Sequence, residues 1–469
     1  MLSKWCFRLK KSRTFNTWLV FLTLPLHVFL LLPLVLRSFD EQVVALWLLF
    51  DLIVSLQVII DFGFNNTFIR AISYCRGGRV SVKTDEVQCI SGCNWCLLKQ
   101  VIGTMRYAYL ICSFLLFIVL CLSTFFVKKY LMGDYYYWAC WAIVVLCTVL
   151  NFYGRIYSNY LLGFDKVALV KRVEALFIVL DVLSAALVLY FTKSFIAMVI
   201  ANQIWVLIKP IRNRYLCFHL SGERYADLCK GKYSSVVFAD IWPMAWRSGI
   251  SSLSSQGSIK LSGLLTSLVG NSSELASYLI ALRVLGLLRN FSMAPFYSKI
   301  PLLSNTYAKG DVDKWQGLAR KSIGYVCYIF LFLIILSSSF GSFLFGLIST
   351  TVVFPRNSVW FFLCMAIYFH CFGAMHVHLY ATTNDVKSHI SDVVSSVIYL
   401  FVAIVLVGRI GVVAFPIGMI VGYFGFYIWH ATHYSYKRIK GGYLKNEFYA
   451  SFIPIVLMIV YCLCGLFDV

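Results

Sequence analysis

Long apolar stretches alternate with short, mostly basic ones from end to end of the chain. A helix that crosses a bilayer needs about 20 predominantly apolar residues. Runs of that kind predict membrane helices at 15–36, 43–69, 101–127, 135–162, 168–191, 194–212, 237–269, 275–301, 322–349, 358–383, 388–408 and 410–433. A thirteenth apolar run covers 448–467. The runs are continuous rather than alternating, so helices are expected and a barrel is not. Segments 70–100, 213–236 and 302–320 read as the main loops, all basic. The expected fold class is an all-α polytopic membrane protein with no sizeable soluble domain. A basic interfacial leader covers 1–14, one six-helix bundle 15–230, a second 231–435, and a basic loop with the last apolar run 436–469. The leader sets Trp5, Phe7 and Leu9 among basic residues, and the first apolar run has the length of a retained signal anchor.

Charge then orients the helices. With the N-terminus inside, the inner segments collect 28 Lys/Arg and the outer turns six, namely Arg37, Lys128, Lys129, Lys193, Arg356 and Arg409. That bias predicts a cytoplasmic N-terminus. It also accounts for most of the net charge of +21 as topology, so nucleic acid is not an expected partner.

Seven cations remain inside the predicted helices: Arg70, Arg106, Arg155, Arg247, Lys260, Arg283 and Arg289. The first three lie toward cytoplasmic helix ends, where a long side chain snorkels to the headgroups. The other four occupy one hairpin, Trp246 to Pro301, whose limbs are joined by the polar turn at 271–274. A cation near the bilayer centre costs at least roughly 2.5–3.5 kcal/mol on insertion scales. Snorkelling is an even alternative for Arg247, whereas Lys260, Arg283 and Arg289 lie deeper. Arg283 and Arg289 stand about 120° apart on an ideal helix, which asks for a broad wall or a broken helix. The expectation is a wet, cation-lined interior that receives something negative.

Composition agrees with this class: 60% hydrophobic and 13% charged residues, with a mean hydropathy of +0.80. The 16 Cys lie mostly in apolar spans, where Cys behaves as a small hydrophobe. Cys89, Cys93 and Cys96 have the C-x3-C-x2-C spacing of an iron–sulfur ligand set. The enzymes that use it need a soluble α/β barrel, for which no sequence is left, so no cofactor and no metal are expected. His370, His376 and His378 cluster on one predicted helix and read as a polar wall rather than a metal site. Asp51, Asp61 and Asp181 are embedded acids suited to charge pairing or ion coupling; Asp61 in Asp61-Phe62-Gly63 reads equally as a helix-bending element. Glu174 is expected to pair with Lys171. Asp240 and Asp392 lie nearer helix ends. Pro25 and Pro33 predict a kink around His27.

An internal repeat is visible. EQVVALWLLF from Glu41 and ELASYLIALR from Glu274 are offset by 233 residues, and Gly77 and Gly310 share that offset. Six helices separate the copies, which is the parallel-repeat arrangement of transporters, with a site expected between the halves.

The stretch 45–78, through Leu46-Trp47, Asp61-Phe62-Gly63-Phe64, Thr67, Arg70 and Gly77-Gly78, resembles the Wzx-type O-antigen and polysaccharide flippases. Tyr278, Arg283, Ala294-Pro295, Lys299, Pro301 and Gly310 carry the likeness in the second half, and GRIGVVAFPIG at 408–418 is similar to the turn between the last two core helices. These flippases share a superfamily with multidrug and toxin extrusion (MATE) proteins and lipid II flippases. The resemblance implies two bundles around a central cavity and no enzyme activity. It implies a polyprenyl-diphosphate-linked oligosaccharide moved by alternating access from the cytoplasmic to the periplasmic leaflet of a bacterial inner membrane. Membrane lipids and other polysaccharide-assembly proteins are the partners it suggests. Lys260, Arg283, Arg289 and Arg247 become candidate ligands of the diphosphate, and the serines of 251–258 candidate sugar contacts. Two rivals are an ion-coupled small-molecule exporter of the MATE kind and a multispan polysaccharide polymerase or ligase. Embedded acids favour the first, and a large outer loop, which this chain lacks, the second.

Overall fold

The computed structural model describes residues 16, 19, 20, 22, 23 and 25–467, apart from 82–90, 132–133, 309–311, 349–353, 382–387 and 438–447. Its elements are helical throughout: α1 (His27–Ser38), α2 (Glu41–Ile60), α3 (Phe64–Arg76), α4 (Trp95–Val127), α5 (Tyr135–Tyr153), α6 (Arg155–Gly163), α7 (Val167–Thr192), α8 (Phe195–Leu228), α9 (Ser235–Val269), α10 (Ser272–Ala308), α11 (Val312–Ile348), α12 (Asn357–Ala381) and α13 (Ser388–Ile410). A rod α14 follows through Ala414–Gly422, Tyr423–Tyr427 and Ile428–Tyr436, and then α15 through Phe448–Phe452 and Ile453–Phe467. Among the described residues nine helical spans are long and apolar enough to cross a membrane, and three shorter apolar helices accompany them. The protein is an all-α polytopic membrane protein.

Three predicted loops are shorter than their polarity suggested. Within 213–236, α8 runs on to Leu228, with a non-helical residue at Gly222 (φ 54°, ψ −135°). The charged residues there alternate with Cys217, Tyr225 and Leu228, which recur at helical spacing and are buried. An amphipathic helix therefore continues past the apolar span. In 302–320, α10 reaches Ala308 and α11 starts at Val312, with Trp315, Ala319 and Ile323 buried on one stripe. In 70–100, α3 ends at Arg76 and α4 starts at Trp95, capped by the Asn94 side chain on Leu97 N at 3.0 Å.

Helical breaks fall where the sequence provides for them. Before Pro33 the chain widens into a π-helical turn, His27–Leu31, as expected where a proline removes a ladder hydrogen bond. Between α2 and α3, Phe62 (φ 47°) and Gly63 (φ 71°) both enter the left-handed region, which the missing Cβ of Gly63 makes inexpensive. Between α13 and α14, Gly411 (φ 58°) reverses the chain, so that Gly418 and Gly422 abut the Tyr399 and Ser395 carbonyls. The stretch 389–436 is thus an antiparallel hairpin.

Two compact units emerge. One comprises Met1–Ser38 and Leu49–Leu253; the other comprises Phe39–Leu48 and Ser254–Val469. The sequence boundary at 230/231 falls between helices, whereas the units divide inside the unbroken α9. In the first unit α5 and α8, α7 and α8, and α3 and α6 pack pairwise. In the second, α12 is the central helix: 83% of its apolar window is buried, against 22–50% for the other spans. It packs against α10, α14 and α15, and Phe361 of α12 lies where a side chain on Gly465 of α15 would stand.

Candidate functional site

Among the described residues each unit buries a polar constellation built from residues far apart in sequence.

In the first unit the centre is Asp61, at the break between α2 and α3. Its Oδ2 accepts from Asn65 N at 3.1 Å, meeting a donor that the first turn of α3 leaves open. Its Oδ1 accepts from Tyr109 OH at 2.9 Å and lies 3.6 Å from Arg155 Nη1. Asn159 Nδ2 in turn donates to Tyr109 OH at 3.0 Å. The Arg155 guanidinium also rests 4.7 Å from the centre of the Phe152 ring. Asp61 is buried, so these contacts are what make its charge tolerable. Asp61 thus stands at a helix break and beside a cation.

Arg155 therefore departs from the snorkelling expected of it: it turns inward to a carboxylate that the sequence places 94 residues earlier. Arg106 donates to the carbonyl of Cys229, and Arg70 reaches Met244 Sδ at 3.7 Å. Asp181 is buried and accepts from Asn202 Nδ2 at 2.9 Å. Asp51 is exposed on α2. Lys171 and Glu174 form their expected pair at 2.8 Å. Arg247 is exposed, 5.8 Å from the Trp246 ring centre, and belongs to this first unit.

Lys260, Arg283 and Arg289 belong to the second unit, and each is half-buried. The helix α10 is unbroken from Ser272 to Ala308, so the 120° between its two arginines sends them to different neighbours. Arg283 lies 4.9 Å from the centre of the Trp47 ring, on the part of α2 that joins this unit. A guanidinium over an indole face keeps its charge while shedding some water. Arg289 exerts its field on His370, His378, Tyr423 and Tyr427.

Those groups form the second constellation. His370 lies 4.7 Å from Tyr423 and 5.4 Å from Tyr427, ring centre to ring centre. Both tyrosines stand on the π-helical turn of α14. His376 contacts Phe372 and Tyr436, and His378 contacts Tyr297. The three histidines thus face aromatic rings. Asp392 is buried despite its place near a helix end. Ser258 of the serine run packs: its Oγ lies 2.6 Å from Ser254 O and 2.7 Å from Ser396 Oγ, tying α9 to α13 as small polar residues do in membranes.

Among the described residues no group of three His, Cys, Asp or Glu is placed to hold a metal. Cys89 lies outside the described residues; Cys93 is half-buried and Cys96 exposed. Burial pushes the Cys93 thiol above its usual range, with Arg76 opposing that shift. Replacing Cys89, Cys93 and Cys96 together with Ser is expected to leave the folded protein unchanged, as its melting temperature in detergent will show. Stoichiometric iron and sulfide in the purified protein, with a lower melting temperature on replacement, would count against that.

Sequence reasoning missed Tyr109, Asn159 and Arg155 as partners of Asp61. An Asn and a Tyr in apolar helices were the available signal, but nothing in their spacing named the partner.

No protein-family model matches the sequence, and no curated protein does. Solved structures do match. The lipid II flippase MurJ, in an inward closed conformation, superposes with a TM-score of 0.60 at 12% identity, over 96% of this chain and 91% of that one. A multidrug resistance MATE transporter of the MOP superfamily in an inward-facing conformation gives 0.64 at 15% identity, over 92% and 100%. An outward-facing conformation of a MATE family transporter gives 0.58 at 13%, over 92% and 97%. At such identities the likeness is one of fold.

Proposed function

We propose that this chain, which has the fold of MurJ and the MATE transporters, is a flippase for a polyprenyl-diphosphate-linked oligosaccharide such as an O-antigen repeat unit. The observation that carries the reading is the set Lys260, Arg283 and Arg289, half-buried in one unit of a membrane protein. Along α10, Arg283 lies about 16 Å and Arg289 about 12 Å from the nearer end of the apolar span Ser272–Tyr297 at 1.5 Å per residue. A diphosphate crossing a membrane needs charge-assisted hydrogen bonds inside it; a neutral or cationic cargo does not. The resemblance to Wzx-type flippases and the fold shared with a lipid II flippase support the same cargo class. The embedded acids that would favour drug export are engaged instead, Asp61 by Arg155 and Asp181 by Asn202. The protein acts as a carrier, not an enzyme. In a strain lacking it, lipid-linked repeat units should accumulate on the cytoplasmic leaflet and be cleared by the wild-type chain. Normal surface polysaccharide in that strain would argue against the reading.

The same reading places the protein in the bacterial inner membrane with its N-terminus in the cytoplasm. A cysteine introduced at Asn271, in a background without reactive native thiols, should react with an impermeant reagent from outside, and one at Ser234 should not. The opposite pattern would invert the orientation.

A further inference from the structure

Six cations stand on outer turns against the charge bias that orients the chain. Two of them, Arg356 and Arg409, are 53 residues apart in sequence yet line one cavity of the second unit. The cavity holds ≈ 810 Å³, within the usual range of small-ligand sites, roughly 300–1,000 Å³. Its walls are the first turns of α10 and α12 and the α13–α14 reversal at Gly411. Glu274 also lines it, but that carboxylate already accepts from Asn271 N at 3.1 Å, within the cap of α10. Two exposed guanidiniums thus face one engaged acid, which leaves the cavity electropositive.

The remaining wall is of a different kind. Ser277 and Ser358 contribute hydroxyls and Phe354 an aromatic ring. The Oγ of Ser358 is buried and has no hydrogen-bond partner among the described residues. A buried hydroxyl left unpaired is costly, and a ligand that bonds it recovers that cost. Hydroxyls beside an aromatic face suit a sugar, which has polar edges and an apolar ring face. The paired arginines suit a phosphate, whose oxygens guanidinium forks match.

We propose that this cavity binds a sugar phosphate, the phosphate on Arg356 and Arg409 and the sugar ring on the wall formed by Ser277, Ser358 and Phe354. Its role rests on the flippase reading: it is a holding site for the head of the cargo at the end of the second unit that carries the Asn271 turn. The binding chemistry itself stands on the lining residues alone.

The test is calorimetric titration of the full-length protein in detergent with glucose 1-phosphate, and with glucose and inorganic phosphate as separate arms. Glucose 1-phosphate should bind more tightly than either part. Arg356→Ala and Arg409→Ala should each weaken it about tenfold, the effect of losing one hydrogen bond to a charged group. Arg356→Lys should keep part of the affinity, and Ser358→Ala should lose less than either arginine variant. Both arginines are exposed, so the variants should fold, as a monodisperse size-exclusion peak will show. Equal binding of inorganic phosphate and glucose 1-phosphate would reduce the cavity to a bare anion pocket and overturn the proposal. Unchanged affinity in both arginine variants would overturn it as well. Arg283 does not line the cavity, so Arg283→Ala should stop transport and leave this binding intact. Normal transport by Arg283→Ala, with binding still dependent on Arg356 and Arg409, would remove the flippase reading and leave the sugar-phosphate site standing.

Discussion

If the chain carries a lipid-linked oligosaccharide as proposed, Arg283→Ala is expected to abolish its delivery while the protein still inserts in the membrane. The guanidinium sits half-buried over Trp47, where few waters can replace it as a partner for a diphosphate. Losing one hydrogen bond to a charged group costs roughly 1.5–3 kcal/mol, or at least about a tenfold fall in transport if the contact forms as the cargo crosses. Lys260→Ala and Arg289→Ala should act in the same direction. Arg283→Lys separates charge from geometry: an ammonium keeps the charge and loses the planar fork. Partial activity would mean that charge suffices; none would mean that the fork or its stacking on Trp47 is needed. The measurement is surface polysaccharide in a flippase-null strain, with the membrane level of each variant quantified. If all three Ala variants reach wild-type levels and restore wild-type polysaccharide, the cationic mechanism is wrong for this protein.

Arg155→Ala should destabilise the first unit more than any other removal of a predicted snorkelling cation. It leaves the buried Asp61 carboxylate without its positive neighbour. Breaking a buried pair from one side typically costs 3–5 kcal/mol. The low end of that range, roughly 3 kcal/mol, applies here because the Arg155 side chain keeps 24% of its exposure. Changing the carboxylate as well should relieve the loss: in Asp61→Asn/Arg155→Ala no charge is stranded, and the amide oxygen can still accept from Tyr109 or Asn65. Tyr109→Phe should cost less, about 1 kcal/mol for one hydrogen bond. Thermal unfolding of wild type, Asp61→Asn, Arg155→Ala and the double variant in detergent forms a double-mutant cycle with a readout independent of transport. A melting temperature for Arg155→Ala equal to that of Arg106→Ala and of wild type would show that the pair contributes nothing.

Much of the fold was legible because a bilayer leaves a chain few choices. Continuous apolar runs must be helices there, and the helix positions at 101–127, 135–162, 168–191 and 358–383 agree closely with the structure over the described residues. The failures share one cause. Polar content marks where a helix leaves the hydrocarbon, not where it ends. Segments 213–228 and 302–308 are charged or polar, yet they stay helical because one apolar stripe still packs. Turn chemistry was readable where glycine carried it, at Gly63 and Gly411.

The candidate site divides along the same line. By itself the sequence determined the class of the molecule, the bias of its charge and the handful of cations that loops and helix ends do not explain. These follow from composition and spacing along one chain, because burying a charge costs energy whatever surrounds it. Tertiary structure alone decided the partners. It set Asp61 beside Arg155, Tyr109 and Asn159, and Trp47 under Arg283. It turned two arginines of one unbroken helix toward different neighbours, and brought Arg356 and Arg409 to one cavity. Periodicity states which face of a helix is polar. Which other helix meets that face depends on long-range packing, and no local pattern encodes it.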